Sequence, residues 1–297
     1  MCLTCGCGDE DNVRITSRDS GHDHPHPHGH PGSHDHDHDH DHDHDHESID
    51  RLGHAELHRP PTTETLVLGE RILAKNDHLA AHNRQWLTER GILALNLMSS
   101  PGSGKTALLE RTITALRDDP LTSGSELLVI EGDQETTFDA DRITRAGARA
   151  VQVNTGGGCH LDAPMVQRAL EVLDPRPGSV VFVENVGNLV CPALFDVGES
   201  AKVVIISVTE GDDKPLKYPQ MFAAADLVVI NKVDLLPYVD FDLGRLEEQA
   251  RSLQPDVEVI ALSVRSGANV TAWLEWLRDR VALPMTRYPQ PPATGDP

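Results

Sequence analysis

The sequence predicts an α/β protein with a doubly wound, mostly parallel sheet and helices on both faces, preceded by a disordered N-terminal segment. The first observation is a set of seven short apolar runs after residue 92, rich in Val and Ile, which is typical of parallel strands covered on both faces. The second is that helical stretches separate these runs, as in doubly wound folds. The third is that residues 1–61 hold 14 acidic and 4 basic residues and few aliphatic ones.

The chain therefore divides into a disordered N-terminal segment (1–61), a folded domain (62–283) and a Pro-rich, disordered tail (284–297). The formal net charge is −21 and no basic patch stands out, which argues against nucleic acid and anionic membranes as partners. No apolar run approaches the roughly 18 residues of a membrane span. The start of the chain also lacks the features of a signal peptide. We therefore expect a cytoplasmic protein with reduced thiols.

Histidine dominates the His22–His46 tract. Twelve of these 25 positions are His and seven are Asp. Such a stretch cannot bury apolar surface, so it should be disordered. Imidazole suits Zn, Cu and Ni, and redundant flexible ligands favour weak binding of several ions, as in a nickel or zinc store. A purification tag or a neutral low-complexity tail is the alternative, but tags are rarely interleaved with Asp and Pro.

A helix is expected after Pro60-Pro61, with Thr62 or Thr63 as its cap and Gly91 at its end. Its expected buried face consists of apolar residues at helical spacing: Leu68, Ile72, Leu73, Leu79, Trp86 and Leu87. His78 and His82 stand four apart, which is ligand spacing, although a solvated helix face is the favoured interpretation.

The first apolar run leads into the sequence SSPGSGKTA. The phosphate-loop pattern is G-x-x-x-x-G-K-[ST], and Ser99 takes the place of the first Gly while Gly104, Lys105 and Thr106 match. Glycines let backbone N–H groups turn towards phosphate oxygens at a helix N-terminus. Lys105 would reach the β- and γ-phosphates, and the Thr106 hydroxyl would hold Mg²⁺. The nucleotide-binding residues predicted here are Gly102, Ser103, Gly104, Lys105, Thr106 and Ala107.

Two later strands end in carboxylates. Asp133 closes the run ELLVIEGD, and Glu184 precedes Gly187 at the D-x-x-G spacing. A carboxylate at a strand end beside phosphates can bind Mg²⁺, and the Gly187 N–H would sense a γ-phosphate. The alternative is an ordinary solvated strand end. Together with Lys105, these two carboxylates are the predicted catalytic residues.

Thiol and imidazole ligands stand near the ends of two other strands. The run GGGCHLDA supplies Cys159 and His160, and NLVCPA supplies Cys191, four residues beyond Gly187. A Cys/His/Cys set suits Zn²⁺ or Ni²⁺. Two buried structural cysteines are the alternative.

The NKVD stretch indicates guanine as the base. In phosphate-loop GTPases the carboxylate, here Asp234, accepts from N1–H and the exocyclic amine of guanine, a pair of donors that adenine lacks. Asn231 would face the other edge of the base, the Lys232 stem would lie over the ring, and Ser263 and Val264 would supply a backbone N–H to the guanine oxygen. No Gln stands where Ras-like proteins orient water, so we expect slow intrinsic hydrolysis of GTP to GDP.

Three thiols, Cys2, Cys5 and Cys7, crowd the N-terminus in MCLTCGC. No second Cys pair follows at zinc-finger spacing, and no strand precedes the motif as in a thioredoxin-like turn. Three thiolates are one donor short of four-coordination, and the α-amino group is the nearest candidate for the fourth. A flat S₃N set of this kind favours Ni(II) over Zn(II).

Taken together, these motifs resemble the HypB family, the GTPases of [NiFe]-hydrogenase maturation in the class that includes signal-recognition and MinD-like proteins. The resemblance spans most of the chain. The related urease GTPase UreG lacks the C-x-x-C-G-C start. The motifs that carry the resemblance are MCLTCGC, the histidine-rich tract, SSPGSGKT, EGDQETTFDADRI, NTGGGCHLDA, ENVGNLVCP, GDDKPLKYP and INKVDLLPY.

The resemblance implies a tight nickel site at Cys2, Cys5 and Cys7 and a zinc or nickel site at Cys159, His160 and Cys191. It also implies a GTP-promoted homodimer with HypA, the hydrogenase large subunit and, in some organisms, SlyD as partners. The activity expected is that of a GTP-hydrolysing nickel metallochaperone. A nickel or zinc storage protein with a vestigial nucleotide site, or a GTPase serving another nickel enzyme such as urease, are the alternatives.

Overall fold

A computed structural model of the protein describes residues 14–17, 63–117, 119, 125–133, 138–156 and 158–282. The strands in these ranges are β1 (Arg14–Ser17), β2 (Leu93–Ser99), β3 (Leu127–Asp133), β4 (Arg149–Asn154), β5 (Val180–Gly187), β6 (Ala201–Ser207), β7 (Leu227–Asn231) and β8 (Glu258–Ala261). The helices are α1 (Thr63–Glu89), α2 (Lys105–Leu116), α3 (Phe138–Ala146), α4 (Ala163–Leu173), α5 (Cys191–Leu194), α6 (Lys214–Lys217), α7 (Pro219–Ala223), α8 (Leu243–Leu253) and α9 (Val270–Ala282). Short 3₁₀ helices lie at Val208–Glu210 and Val233–Tyr238.

All eight strands belong to one sheet, in the order β1-β4-β3-β5-β2-β6-β7-β8. Strands β2 to β8 pair in parallel, which confirms the seven strands predicted from the apolar runs. Because these strands run the same way, their carboxyl ends meet at one edge. The central strands β3, β5 and β2 thus bring the predicted acidic strand ends beside the glycine-rich loop.

The core lies on both faces of the sheet, which explains why the strand sequences are apolar without alternation. In β5, Phe182 packs in a cluster that includes α2 and α9 residues. Its neighbours Val181 and Val183 point to the other face and join a cluster with α1 and α4. A third cluster covers β6 and β7 with α7 and α8. None of the described helices is both long and apolar enough for a membrane span.

One short stretch of the N-terminal segment is an exception to the disorder expected for residues 1–61. Residues Arg14–Ser17 form β1, which pairs antiparallel with the edge strand β4. Ile15 packs against the α1/α4 cluster. A four-residue strand held by a neighbour's free edge and one apolar side chain gives too weak a sequence signal to predict.

The face that α1 buries differs from the predicted one. The helix ends at Glu89 and Gly91 follows with φ of 62°, as expected. However, Ile72 is 51% exposed, and Leu73, Leu79 and Trp86 are only half-buried. The fully buried face consists of Asn76, Ala80, Asn83 and Leu87. Periodicity of apolar residues missed this face because two of its four members are asparagines. His78 and His82 are exposed, as the solvated-face interpretation predicts.

These asparagines bond to backbone groups of two loops. Asn83 Nδ2 donates to the carbonyls of Ala163 (2.9 Å) and Val197 (3.1 Å). Asn76 accepts from the Ala163 N–H at 2.9 Å and donates to the Asp196 carbonyl at 2.8 Å. Buried polar groups must be paired in this way to offset their desolvation. Helix α1 therefore holds the start of α4 and the segment before β6 in fixed positions.

Glycine is required where that segment meets α1. Gly198 has φ of +93°, and a Cβ there would lie 2.6 Å from Asn83 Cβ and 2.7 Å from the Ala80 carbonyl oxygen. Gly178 has a similar φ of +78° but no neighbour within 4 Å of an added Cβ. An added Cβ at Gly178 would meet backbone strain alone, whereas one at Gly198 would meet backbone strain and steric overlap with α1.

We predict that Gly198→Ala lowers the free energy of unfolding more than Gly178→Ala. Each substitution carries the backbone cost of about 1–2 kcal/mol for a left-handed conformation. Gly198→Ala adds about 1–3 kcal/mol of overpacking against α1. Urea unfolding followed by tryptophan fluorescence measures the difference, and equal losses at the two positions would contradict a close contact between α1 and residue 198.

Candidate functional site

A cavity of about 460 Å³ opens at the carboxyl edge of the sheet, above β2, β3 and β5. Its walls are the glycine-rich loop, the start of α2 and the ends of β3 and β5, including Asp133, Glu184 and Gly187. The crevice at the carboxyl ends of the strands is where open α/β folds bind ligands. The structure therefore brings together the phosphate-loop and acidic residues that the sequence assigned to one site.

The loop between β2 and α2 has a backbone that only glycine accommodates at one point. Gly104, the residue before α2, has φ of 100° and ψ of 28°. A Cβ there would lie 2.5 Å from Asn231 Nδ2. The Asn231 amide instead donates to the Ser103 carbonyl at 2.9 Å, so the loop is bonded to the end of β7.

Side chains around the loop are also held. Lys105 Nζ donates to the Ser99 hydroxyl at 2.9 Å, which gives the serine in the first-Gly position a contact of its own. The Ser100 hydroxyl donates to Glu210, which follows β6. Ser103 Oγ is buried and has no hydrogen-bond partner among the described residues. A hydroxyl placed in this way suits a phosphate oxygen.

The predicted Mg²⁺ ligands line one cavity. The Thr106 hydroxyl donates to Glu184 Oε1 at 2.7 Å, and Glu184 is 5% exposed. Asp133 lines the same cavity from β3. Hard oxygen ligands of this kind, a hydroxyl and carboxylates, are those that Mg²⁺ accepts. Gly187 lies against the loop, since a Cβ there would be 3.2 Å from Pro101 Cα.

The structure adds a carboxylate that the sequence analysis missed. Glu131 is 3% exposed, lines the cavity and stands directly opposite Glu184 in the β3–β5 pairing. The signal was present, because alternate residues of a strand share a face and Glu131 stands two before Asp133. Arg142 of α3 also lines the cavity and donates two hydrogen bonds to Glu110 of α2, at 3.0 and 2.7 Å.

The predicted base-recognition residues form a second constellation beside the loop. Lys232 has φ of 64°, and its Nζ donates to the Gly102 carbonyl at 2.7 Å, so its stem spans the gap between β7 and the loop. The Ser263 hydroxyl donates to Asp234 Oδ1 at 2.5 Å and thereby fixes the orientation of that carboxylate. A fixed carboxylate beside the stem of Lys232 is the arrangement that guanine recognition needs.

Residues predicted to contact the base also make hydrogen bonds within the protein. Asn231 was expected to face the base; its Nδ2 bonds to Ser103, and its Oδ1 accepts from the Val264 N–H at 3.2 Å. The Ser263 N–H, in turn, donates to the Ala268 carbonyl at 2.9 Å. The backbone N–H groups of Ser263 and Val264, from which one contact to the guanine oxygen was expected, are therefore bonded within the protein, and the contacts to the base stay predictions. Sequence patterns identify residue types here but not which way an amide faces.

The Cys/His/Cys set comes together as predicted. Ligand atoms of Cys159, His160 and Cys191 all lie within 4.8 Å of one another. Zn–S and Zn–N bonds are about 2.3 Å and 2.0 Å, so one ion can reach all three atoms after small side-chain adjustments. Three protein donors leave one tetrahedral position open, as in sites that exchange a ligand.

Burial keeps the imidazole in its ligand form. His160 is 5% exposed and stacks on Phe195 with 3.8 Å between ring centroids. Burial lowers the pKa of His160 to about 4, so the ring is neutral at pH 7 and can donate a lone pair. The Asn188 amide lies 3.7 Å from Cys191 Sγ, within hydrogen-bond range of sulfur.

Other predicted ligands lie outside the described residues. These are Cys2, Cys5 and Cys7 and the His22–His46 tract. Their metal binding therefore stays a prediction from sequence.

The fold and the cavity define a phosphate-loop nucleotide-binding protein. The family model described as CobW/HypB/UreG, nucleotide-binding domain, matches residues 93–261, which run from β2 to the end of β8. Individual relatives identify a narrower family within this group. The hydrogenase maturation factor HypB of Rhizobium leguminosarum bv. viciae is 53% identical over 227 residues, covering 76% of this chain and 74% of its own.

The HypB of Escherichia coli K12 is 44% identical over 289 residues, which cover 93% of this chain and 98% of that protein. A crystal structure of HypB from Helicobacter pylori in complex with nickel superposes with a TM-score of 0.65 and 35% identity, covering 73% of this chain and 98% of that one. The chain therefore belongs to the family of HypB hydrogenase maturation factors.

Proposed function

We propose that the protein is a GTP-hydrolysing metallochaperone that delivers nickel to the large subunit of [NiFe]-hydrogenase. The observation that carries this proposal is that β5 ends between two sites. Gly187 packs against Pro101 of the phosphate loop, and Cys191 of the Cys/His/Cys set follows four residues later. A segment that responds to the γ-phosphate would thereby move one metal ligand.

Four residues of the cavity have a part in nucleotide chemistry under this proposal. Lys105 neutralises charge on the β- and γ-phosphates, while Thr106, Asp133 and Glu184 hold Mg²⁺. The bond between Thr106 and Glu184 supports this assignment because it brings two of the three ligands to one point. When bound, Mg²⁺ would neutralise charge that develops on the phosphate oxygens. Because no glutamine stands at the position where Ras-like proteins orient water, hydrolysis is slow and acts as a timer.

Nickel is the cargo. The Cys159/His160/Cys191 set holds Ni²⁺ or Zn²⁺ with one coordination position open for transfer, while Cys2, Cys5 and Cys7 form a tighter nickel site. The His22–His46 tract stores nickel or zinc weakly. Support comes from the nickel complex of the H. pylori relative and from the donor types, which suit nickel.

The protein works in the cytoplasm as a homodimer promoted by GTP. HypA is its partner in nickel delivery, SlyD is a further source of nickel, and the hydrogenase large subunit receives the metal. Membership of the HypB family supports a place in the hydrogenase maturation machinery. The acidic net charge of −21 supports protein partners over nucleic acid.

We predict that Asp234→Asn changes the base preference from guanine to xanthine. Asparagine cannot accept both guanine hydrogen bonds, but its amide can donate to the carbonyl that xanthine has in place of the amine. Each bond to a charged group contributes about 1.5–3 kcal/mol, so GTP affinity should fall about 10²- to 10⁴-fold while XTP affinity rises. Titration with fluorescent GTP and XTP analogues measures both affinities.

The matched control is Asp240→Asn, which makes the same change at an exposed position outside the constellation. It should leave both affinities unchanged. Unaltered GTP affinity in Asp234→Asn would contradict the assignment of Asp234 to guanine recognition.

We further predict that nickel affinity at the Cys/His/Cys set depends on the bound nucleotide. The full chain with Cys2, Cys5 and Cys7 replaced by Ser keeps two of its five cysteines, so nickel–thiolate charge-transfer absorption reports on this set alone. Competition with a chelator should give affinities that differ by about fivefold or more between GDP and a non-hydrolysable GTP analogue, the lower end of ordinary coupling. Nickel bound by the histidine tract gives no thiolate absorption, so it does not contribute to this signal.

Cys191→Ser in the same background is the control. It removes one of the two remaining thiolates, so the absorption should weaken and the nickel affinity of the set should fall in both nucleotide states. Equal nickel affinities with GDP and the GTP analogue in the unsubstituted set would remove the proposed coupling.

A further inference from the structure

Two consecutive residues at the end of β5 bond to different sites. Glu184 Oε1 accepts from Thr106 of the phosphate loop at 2.7 Å. Asn185 Oδ1 accepts from the Leu161 N–H at 3.0 Å. Neighbouring side chains of a strand point to opposite faces of the sheet. One dipeptide therefore joins the phosphate loop on one face to the loop after β4 on the other.

The bond to Leu161 acts on a predicted metal ligand directly. The Leu161 N–H belongs to the peptide unit that follows His160, so Asn185 fixes the backbone of that ligand. The Leu161 side chain is fully buried and packs against Gly132, where an added Cβ would lie 2.7 Å from Leu161 Cγ. Gly132 precedes Asp133, so the His160 segment rests on both acidic strand ends.

Asn185 cannot turn away from this position without losing other bonds. It is 1% exposed, and its Nδ2 donates to Asn96 Oδ1 at 3.2 Å. Asn96 Nδ2 in turn donates to the buried Glu199 at 3.2 Å. The amide is satisfied on both sides, which fixes its oxygen towards Leu161.

The strand is irregular at this point. Pairing of β5 with β3 ends at Glu184. On the other side, Leu97 pairs with Glu184 and Ser99 with Gly187, so β5 has one more residue than β2 between the two pairs. An extra residue of this kind is a bulge, which interrupts the ladder and redirects side chains beside functional sites. Asn185 and Val186 are thus held by side-chain and loop contacts more than by regular sheet pairing.

We propose that Asn185 is a positioning residue that transmits the nucleotide state from Glu184 to the Cys159–His160 half of the metal site. The inference rests on the proposed function, and it adds a second connection to the Gly187–Cys191 segment. A change at Glu184 on nucleotide exchange shifts the bulge, and the Asn185–Leu161 bond carries this shift to the backbone of His160. The nucleotide state then acts on both the Cys191 side and the Cys159–His160 side of the metal site, and the nickel affinity of the site changes.

The test is the ratio of nickel affinities with GDP and with the non-hydrolysable GTP analogue, measured on the full chain with Cys2, Cys5 and Cys7 replaced by Ser. Asn185→Ala should lower this ratio towards one, since it removes the bond to Leu161 and leaves only the Gly187–Cys191 connection. Asn185→Asp keeps an acceptor oxygen for the Leu161 N–H, so it should retain the ratio of the parent. A role in stability alone would change affinity in both states and leave the ratio intact.

Asn83→Ala is the matched control. Asn83 is also a buried asparagine near the same loop, bonded to the Ala163 carbonyl, but its contacts are with α4 and the segment before β6 and not with the phosphate loop. Its substitution should shift both nickel affinities by the same factor and preserve the ratio.

Hydrogen exchange of the Leu161 amide in the parent protein tests the proposal without a substitution at Asn185. The exchange rate should differ between the GDP and GTP-analogue states. Equal rates, a parental ratio in Asn185→Ala, or loss of the ratio in a folded Asn185→Asp would each overturn the inference. Of these, a parental ratio in Asn185→Ala would leave the proposed function standing. Absence of nickel–thiolate absorption in the parent would overturn both.

Discussion

The end of β5 is the constraint on which the rest of the site depends. Because β5 lies between β2 and β3, its last residues border the phosphate loop on one side and the loop after β4 on the other. Glu184 bonds to Thr106, and Gly187 packs against Pro101. A shift of Glu184 or Gly187 therefore changes a contact with the phosphate loop, and a shift of Asn185 changes a contact with the loop after β4. The geometry of the sheet therefore links the nucleotide cavity to the Cys/His/Cys set.

Buried amides give the fold its rigidity around this edge. Asn76 and Asn83 hold α1 to two loops, and Asn96 and Asn185 form a chain that ends at Glu199. Burial raises the pKa of Glu199, and the carboxyl accepts from the Val197 N–H as well. Each of these groups would destabilise the core if it lost its partner. These buried hydrogen bonds hold the loops in one set of positions. Metal ligands on short side chains such as Cys and His require this, because they cannot reach an ion if the backbone shifts.

Short, unbroken apolar runs predicted the seven parallel strands, because burial on both faces leaves a strong signal. Apolar periodicity failed to identify the buried face of α1, which includes Asn76 and Asn83, since hydrogen bonding to distant loops is invisible in a local pattern. The carboxylates Asp133 and Glu184 could be predicted from their place at strand ends. The bracing contacts of Asn231 and the link from Asn185 to Leu161 could not, because they depend on which strands are neighbours and where β5 bulges.

Thermodynamic linkage gives the most direct test of a connection between the two sites. If nucleotide alters nickel affinity, then nickel must alter nucleotide affinity by the same factor. The measurement is the ratio of GTP-analogue to GDP affinity with and without Ni²⁺, in the chain lacking Cys2, Cys5 and Cys7 thiols. We expect nickel to change this ratio by the factor found for nickel binding, and Cys191→Ser to abolish the change. An identical ratio with and without nickel would contradict it.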